Sequence, residues 1–367
     1  MAAAGTDYKP EGRLGDDSMT LGTDPRTNRK LLRVLQSMGM DARQPAPELT
    51  MSSPMEDITA FIGQSDTAFQ GMYDMLPNDL PGDKDEPKVD HSTKTIKGVD
   101  GNDIALHIFR KAGTEGETLP AIVYTHGGGM TIINTINPVH VRLLTSLALS
   151  GLVAIAVDFR NAYTKKGHNP FPAGLNDCAA GIQYVAAHKS EFGVGKIIIQ
   201  GESGGGNLAI ATTLKAKKEG WLDAIDGTYA SIPYISNAWG WPEEKLLKEL
   251  PSVVASNEYF LSRKMNTLMG HYYTPNERDS TNPLAWPYHS TEEELKGLPP
   301  FYIVVDELDP LRDEGMVFYH KLSAAGNDVA AHMNLGVAHG SWGIFRQAIP
   351  EFFDAAVASM AAFAKRV

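Results

Sequence analysis

The chain has 367 residues, room for two average domains or for one large α/β core with a lid. Hydrophobic residues make up 43% and charged residues 21%, a globular balance that excludes a wholly disordered or fibrous chain. Acidic residues outnumber basic ones, 44 to 33, and the net charge of −11 argues against a nucleic acid or an anionic membrane as partner, since phosphates call for a basic surface. In chain order, Met1 to Tyr8 lack the basic start and apolar stretch of a secretory signal. Residues 1–90 are rich in Asp, Pro, Gly and Met, with modest apolar periodicity at 31–35 and 58–69, and close on the turn- and charge-rich stretch 77–87. This segment is too thin to hold a core of its own and is expected to pack as a cap over the domain formed by residues 91–367.

From there a strand, turn, helix rhythm repeats. Residues 104–109 alternate weakly, and 121–124, 153–157, 197–199 and 302–305 are short continuous apolar runs, the pattern of strands buried on both faces. Helix-length stretches lie at 175–188 and 207–218. The rhythm predicts an α/β fold with a mostly parallel central sheet flanked by helices. Residues 237–290 interrupt it with Trp239, Trp241, Tyr259, Phe260, Tyr272, Tyr273 and Trp286, and are expected to be an insertion that contributes to the cap. The longest lipid-compatible run, 143–157, is broken by Thr145, Ser146, Ser150 and Gly151 and falls short of a membrane span, so it reads as a helix end, a glycine stop and a buried strand. Cys178 is the only cysteine; it permits no intrachain disulfide and no cysteine-rich metal site, and a soluble cytoplasmic protein is the expectation.

Gly201-Glu202-Ser203-Gly204-Gly205 matches Gly-x-Ser-x-Gly between a strand-like and a helix-like stretch. A serine on such a tight turn has its Oγ pushed out at the carboxyl edge of the sheet, in front of a helix N-terminus. The plain alternative is a glycine-rich βα turn, but the Gly-Lys-Ser/Thr of a nucleotide loop is missing. His126-Gly127-Gly128-Gly129 follows the strand-like 121–125, and consecutive glycines leave backbone N–H groups open to a developing oxyanion, with the N–H of Gly204 as the complementary donor. A serine needs a base beside it. Of His320, His332 and His339, the first falls in a helix-like and the second in a strand-like stretch, whereas His339 lies in the loop beyond that strand, where it can reach the sheet edge. Asp306, Glu307, Asp309 and Asp313 all follow strand 301–305 as candidate acids, with Asp309 favoured over Asp306 by a small margin. His126 reads as an anchor of the glycine loop rather than a base. Asp158 and Arg160, at a strand end, are read as an internal ion pair or as substrate contacts. The histidines are scattered with no His-Glu-x-x-His spacing, so neither metal nor cofactor is expected.

Together these motifs resemble the hormone-sensitive-lipase branch of the α/β-hydrolases. The likeness runs from about residue 95 to the end. It rests on His126-Gly127-Gly128-Gly129, on 201–209 with Glu202 where Asp is usual, on Asp309-Pro310-Leu311-Arg312-Asp313-Glu314-Gly315, and on His339-Gly340. The resemblance implies an α/β-hydrolase fold with a helical cap built partly from the N-terminal segment. It also implies a triad of Ser203, Asp309 and His339, and an oxyanion hole from Gly128, Gly129 and Gly204, the part of Gly127 being left open. Met130 and Glu202, which flank these motifs, are the candidate substrate contacts. The loop after the second apolar strand departs from the family's Tyr-Arg-x-Ala-Pro-Glu: here it reads Phe159-Arg160-Asn161-Ala162-Tyr163-Thr164. The implied activity is hydrolysis of apolar carboxylic esters or lactones through an acyl-enzyme, with a small-molecule substrate as partner. The alternatives are a non-catalytic small-molecule receptor on the same scaffold and an amidase or other acyl hydrolase. Met72, Met75 and the aromatics of 237–290 are as well suited to lid core as to a pocket wall.

Overall fold

A computed structural model describes residues 10–43 and 47–367; Met1 to Tyr8, where the absence of a signal pattern was read, lie outside the described residues. Eight strands form the main sheet: β1 (Val89–Lys97), β2 (Asp103–Lys111), β3 (Leu119–Thr125), β4 (Val153–Val157), β5 (Val194–Glu202), β6 (Gly227–Ser231), β7 (Phe301–Asp306) and β8 (Val329–Asn334), in the spatial order β1-β2-β4-β3-β5-β6-β7-β8. The pairs β1–β2 and β2–β4 are antiparallel, and all later pairs are parallel. The longer helices are α1 (Arg29–Ser37), α2 (Met55–Met75), α3 (Pro138–Leu149), α4 (Ala173–Ala187), α5 (Gly204–Glu219), α6 (Arg263–Tyr273), α7 (Arg312–Ala324) and α8 (Pro350–Arg366).

The continuous apolar runs belong to strands covered on both sides. Successive side chains of a strand point to opposite faces. Ala121 and Val123 of β3 accordingly join one core with Ile182 of α4, Leu208 of α5 and Phe318 of α7. Ile122 and Tyr124 join the other, with Leu144 of α3 and Phe353 of α8. The run 143–157 divides as its sequence predicts, into α3, a turn at Gly151 and β4. Asn137 caps α3 by accepting the N–H of His140 at 3.0 Å, and Pro138 follows at the first helical position.

The segment before β1 has no core of its own. Leu31 and Leu35 of α1 and Ile58 and Ile62 of α2 are fully buried and belong to the main hydrophobic cluster. The region 237–290 carries two short helices (Glu243–Glu249, Ser252–Ala255) and α6, and buries Trp239, Tyr259, Tyr272, Tyr273 and Trp286. Asp158 and Arg160 do not pair with each other. Arg160 binds Asp177 at 2.8 Å and Asp100 at 2.6 Å, while Asp158 accepts the hydroxyl of Thr135 at 2.8 Å, and neither lines the cleft described below. The unusual loop after β4 bonds to the glycine loop, the N–H groups of Ala162 and Tyr163 donating to the carbonyls of Met130 and Thr131. No helix among the described residues is long and apolar enough to cross a membrane.

Candidate active site

Three loops at the carboxyl ends of β3, β5 and β7–β8 converge. Ser203 stands between β5 and α5 with φ 56° and ψ −120°, a conformation an L-residue holds only under constraint. The constraint comes from glycines. A Cβ on Gly201 would lie 2.2 Å from the carbonyl oxygen of Gly205, and one on Gly205 would lie 1.9 Å from that of Thr125. Only hydrogen at both positions lets β5, the turn and β3 pack this closely.

His339 reaches this turn from the loop after β8. Its Nε2 is 2.9 Å from Ser203 Oγ, and its Nδ1 is 2.7 Å from Asp309 Oδ2. With Nδ1–H donating to the carboxylate, Nε2 is left as the acceptor of the serine proton. Burial alone would push the His339 pKa down, but the buried Asp309 carboxylate beside it outweighs that, and the net shift is upward. Asp309 is held by the N–H of Leu311 at 2.9 Å. The other candidate acids are engaged elsewhere. Asp306 accepts from Asn334 and from the N–H of Gly340, Glu307 accepts the N–H of Gly336, and Asp313 accepts the N–H of Ser252. Burial, with Asp309 nearby, pushes Asp306 up to about 7. His320 lies in α7 and His332 in β8, away from the serine.

The glycine loop faces Ser203 from the end of β3. The N–H groups of Gly128, Gly129 and Gly204 have no acceptor among the described residues. They are close together, because a Cβ on Gly204 would stand 2.7 Å from Gly129 N and 2.4 Å from Met130 N. Gly127 is different: its N–H donates to Glu202 Oε1 at 2.8 Å. That bond pins the loop to the residue beside the nucleophile. Tyr124 donates to the same oxygen at 2.7 Å, and burial pushes the Glu202 carboxyl up to about 7. His126 lies under the loop, stacked on Phe159 at 4.4 Å and on His140 at 5.5 Å. Burial holds both histidines low, His126 at about 4 and His140 at about 3, so neither adds positive charge near neutral pH.

These groups open into a solvent-connected cleft. Its walls are mostly apolar: Phe69 of α2, Phe260 and Leu261, Met265 and Met269 of α6, and Trp342. Glu202, a candidate substrate contact, lines it. Met130 does not. Its side chain is buried and its carbonyl accepts the N–H of Ala162, so it ties the glycine loop to the loop after β4. Met72 is also absent from the lining, and Met75 is 80% exposed. The methionines facing the cleft are the two four residues apart on α6, a spacing that puts both on one helix face and was visible within the aromatic-rich insertion. Glu314 was read only as part of a motif. It is fully buried on α7, accepting the N–H of Ile235 at 2.6 Å and the Ser236 hydroxyl, and so fixes the loop after β6 that carries Ile232 and Tyr234 to the cleft.

Residues 122–343 match the alpha/beta hydrolase fold family. The chain belongs to that family. Among solved structures it is similar to brefeldin A esterase, a bacterial homologue of human hormone sensitive lipase, with 50% identity over 97% of this chain and 98% of that one and a TM-score of 0.95. It is also similar to the esterase Est22, with 31% identity over 95% of this chain and all of that one and a TM-score of 0.81. Among curated proteins it is 29% identical to esterase LipI of Mycobacterium tuberculosis over 60% of this chain and 65% of that protein. It is 27% identical to lipase 2 of a Moraxella species over 70% of this chain and 63% of that protein. The aligned part thus spans just under two thirds of the length of these two curated relatives.

Proposed function

We propose that the chain is a serine carboxylesterase acting on apolar carboxylic esters or lactones through an acyl-enzyme. The observation that carries this reading is the hydrogen-bonded series Ser203–His339–Asp309, at 2.9 and 2.7 Å, at an apolar cleft that Gly128 and Gly129 also line. The esterases and lipases named above support it. Ser203 Oγ attacks the ester carbonyl while His339 Nε2 takes its proton, and Asp309 stabilises the imidazolium through Nδ1. The negative charge that appears on the carbonyl oxygen falls to the N–H groups of Gly128, Gly129 and Gly204, where loss of one donor typically costs ~2.7–4 kcal/mol of barrier. His339 then protonates the leaving alcohol, and water, with His339 as base, releases the acid. Glu202 holds the donor loop through Gly127. No step calls for a metal or cofactor.

Residues up to about 90, with α6, act in this reading as the cap that encloses the cleft, since Phe69 and Tyr73 of α2 line it opposite Met265 and Met269. A cytoplasmic location belongs to the same reading: the buried Cys178, the single cysteine, leaves an oxidising compartment nothing to cross-link within the chain. The test is hydrolysis of p-nitrophenyl butyrate by the wild type and by Ser203→Ala. The variant is expected to lose nearly all turnover, and full activity in it would overturn the assignment. Comparing that ester with the matching anilide separates an esterase from an amidase. Tight binding of a ligand that is never turned over would favour a receptor.

A further inference from the structure

Beyond Gly129 the glycine loop runs on through two backbone conformations that side chains rarely adopt. Met130 has φ 59° and Ile133 has φ 76°, and for a β-branched residue such a value is strained. Strain of this kind persists only where the surroundings fix it. At Ile133 both backbone groups are held. Its carbonyl accepts the side-chain amide of Asn161 at 2.7 Å, from the loop after β4. Its N–H donates to Oδ1 of Asp66, a residue of α2, at 2.9 Å. One turn further along α2, Gln70 Oε1 accepts the N–H of Asn134 at 3.0 Å. Residues four apart share a helix face, so α2 takes up two successive amides of the loop.

From Ile133 the path back to the amide donors is short. The N–H groups of Thr131 and Ile132 both donate to the Gly128 carbonyl at 3.0 Å. A Cβ on Gly128 would stand 2.2 Å from the Ile132 carbonyl oxygen and 3.4 Å from Ile133 Cβ. Residues 128–133 thus form one closely packed turn, and a shift of Ile133 is passed to the Gly128 peptide. We propose that Asp66 is a positioning residue for the oxyanion hole: as acceptor for the strained Ile133 it holds the Gly128 and Gly129 amides where the reaction needs them. Asp66 does not itself line the cleft, so it acts through the backbone. The inference rests on the ester-hydrolase reading and adds to it a residue outside the motifs. Oxyanion donors act on charge that appears in the transition state, so moving them lowers kcat and leaves KM nearly alone.

The test measures kcat and KM for p-nitrophenyl acetate, butyrate and octanoate in the wild type, Asp66→Ala and Asp66→Asn. Alanine removes the acceptor without weakening the helix, and asparagine keeps an acceptor oxygen. Asp66→Ala is expected to lose about tenfold or more in kcat, by a similar factor on all three esters, with KM within about twofold of the wild type. Formation and hydrolysis of the acyl-enzyme both develop an oxyanion, so the loss appears whichever step limits the rate. Asp66→Asn should retain at least about a third of the wild-type kcat, since its carbonyl can take the same N–H. A merely structural contribution would loosen the cap instead and raise KM, most for the octanoate. That pattern, an unchanged kcat in Asp66→Ala, or an equal loss in Asp66→Asn would overturn the proposal. Absence of turnover of all three esters by the wild type would instead sink the esterase reading itself, so the two failures are distinguishable.

Discussion

In the proposed triad His339 works only as the neutral base, and its buried neighbour Asp309 makes that harder to keep as pH falls. Burial lowers the imidazole pKa, the carboxylate 2.7 Å away opposes and outweighs that, and the net shift is upward. The sign follows directly: activity is complete above the His339 pKa and is lost as pH falls through it. The acid limb of kcat/KM for a neutral ester is therefore expected above ~6.5, the unperturbed histidine value. Asp309→Asn should lower kcat by about 10⁴-fold, because an amide no longer selects the Nδ1–H tautomer. It should also move what activity remains to lower pH. An Asp309→Asn enzyme with an unchanged rate and limb would mean that Asp309 is not the partner that matters. At this scale the sequence was most legible where sterics force a short contiguous pattern. Gly201, Ser203 and Gly205 had to sit together, since a Cβ on Gly201 would clash with the Gly205 carbonyl in the turn and one on Gly205 with the Thr125 carbonyl at the end of β3. The part of Gly127 was not legible, because it depends on a side chain 75 positions away, Glu202, taking up its N–H.

Elements were readable in proportion to how fully they are buried between layers. β4, buried at all five positions, announces itself as a five-residue apolar run. β1 is an edge strand, exposed or half-exposed except at Ile96, and its Asp-His-Ser-Thr-Lys-Thr sequence carries no apolar signal. β6 is buried throughout yet reads Gly-Thr-Tyr-Ala-Ser, because Gly227 lies against Phe363 and Thr228 bonds the hydroxyl of Thr213. The weak periodicity of 58–69 conceals a 21-residue helix, α2, because only Ile58, Ile62 and Tyr73 of it are buried. This sparse inner face is nonetheless part of the main core. Ile62→Ala is accordingly expected to cost about 2–5 kcal/mol, the usual range for emptying a filled core position. A urea melt checks it, and a change below about 0.5 kcal/mol would mean that α2 rests on the domain without contributing to its stability.

At the scale of the whole molecule, the sheet supplies position, and α2, α6 and the loop before α6 supply mostly apolar walls. The proposed reacting groups come from loops at the carboxyl ends of the parallel strands, where the fold fixes them regardless of substrate. Sequence patterns therefore found them across a separation of 136 residues between Ser203 and His339. The cleft wall is assembled from α2, the loop before α6, α6 itself and the loop after β8, and no local pattern says which of their side chains meet. Phe69, Phe260 and Trp342 were visible only as apolar residues, and the sequence does not tell that the Met130 side chain is buried rather than among those that line the cleft. The claim on which everything turns is that Ser203 is a nucleophile activated in place. Mass spectrometry after exposure to an aryl phosphonate ester measures this directly. One adduct per chain is predicted, on the peptide that contains Ser203, absent in Ser203→Ala and formed far more slowly in His339→Ala. An adduct that persists in Ser203→Ala, or none in an enzyme that still hydrolyses esters, would contradict the account.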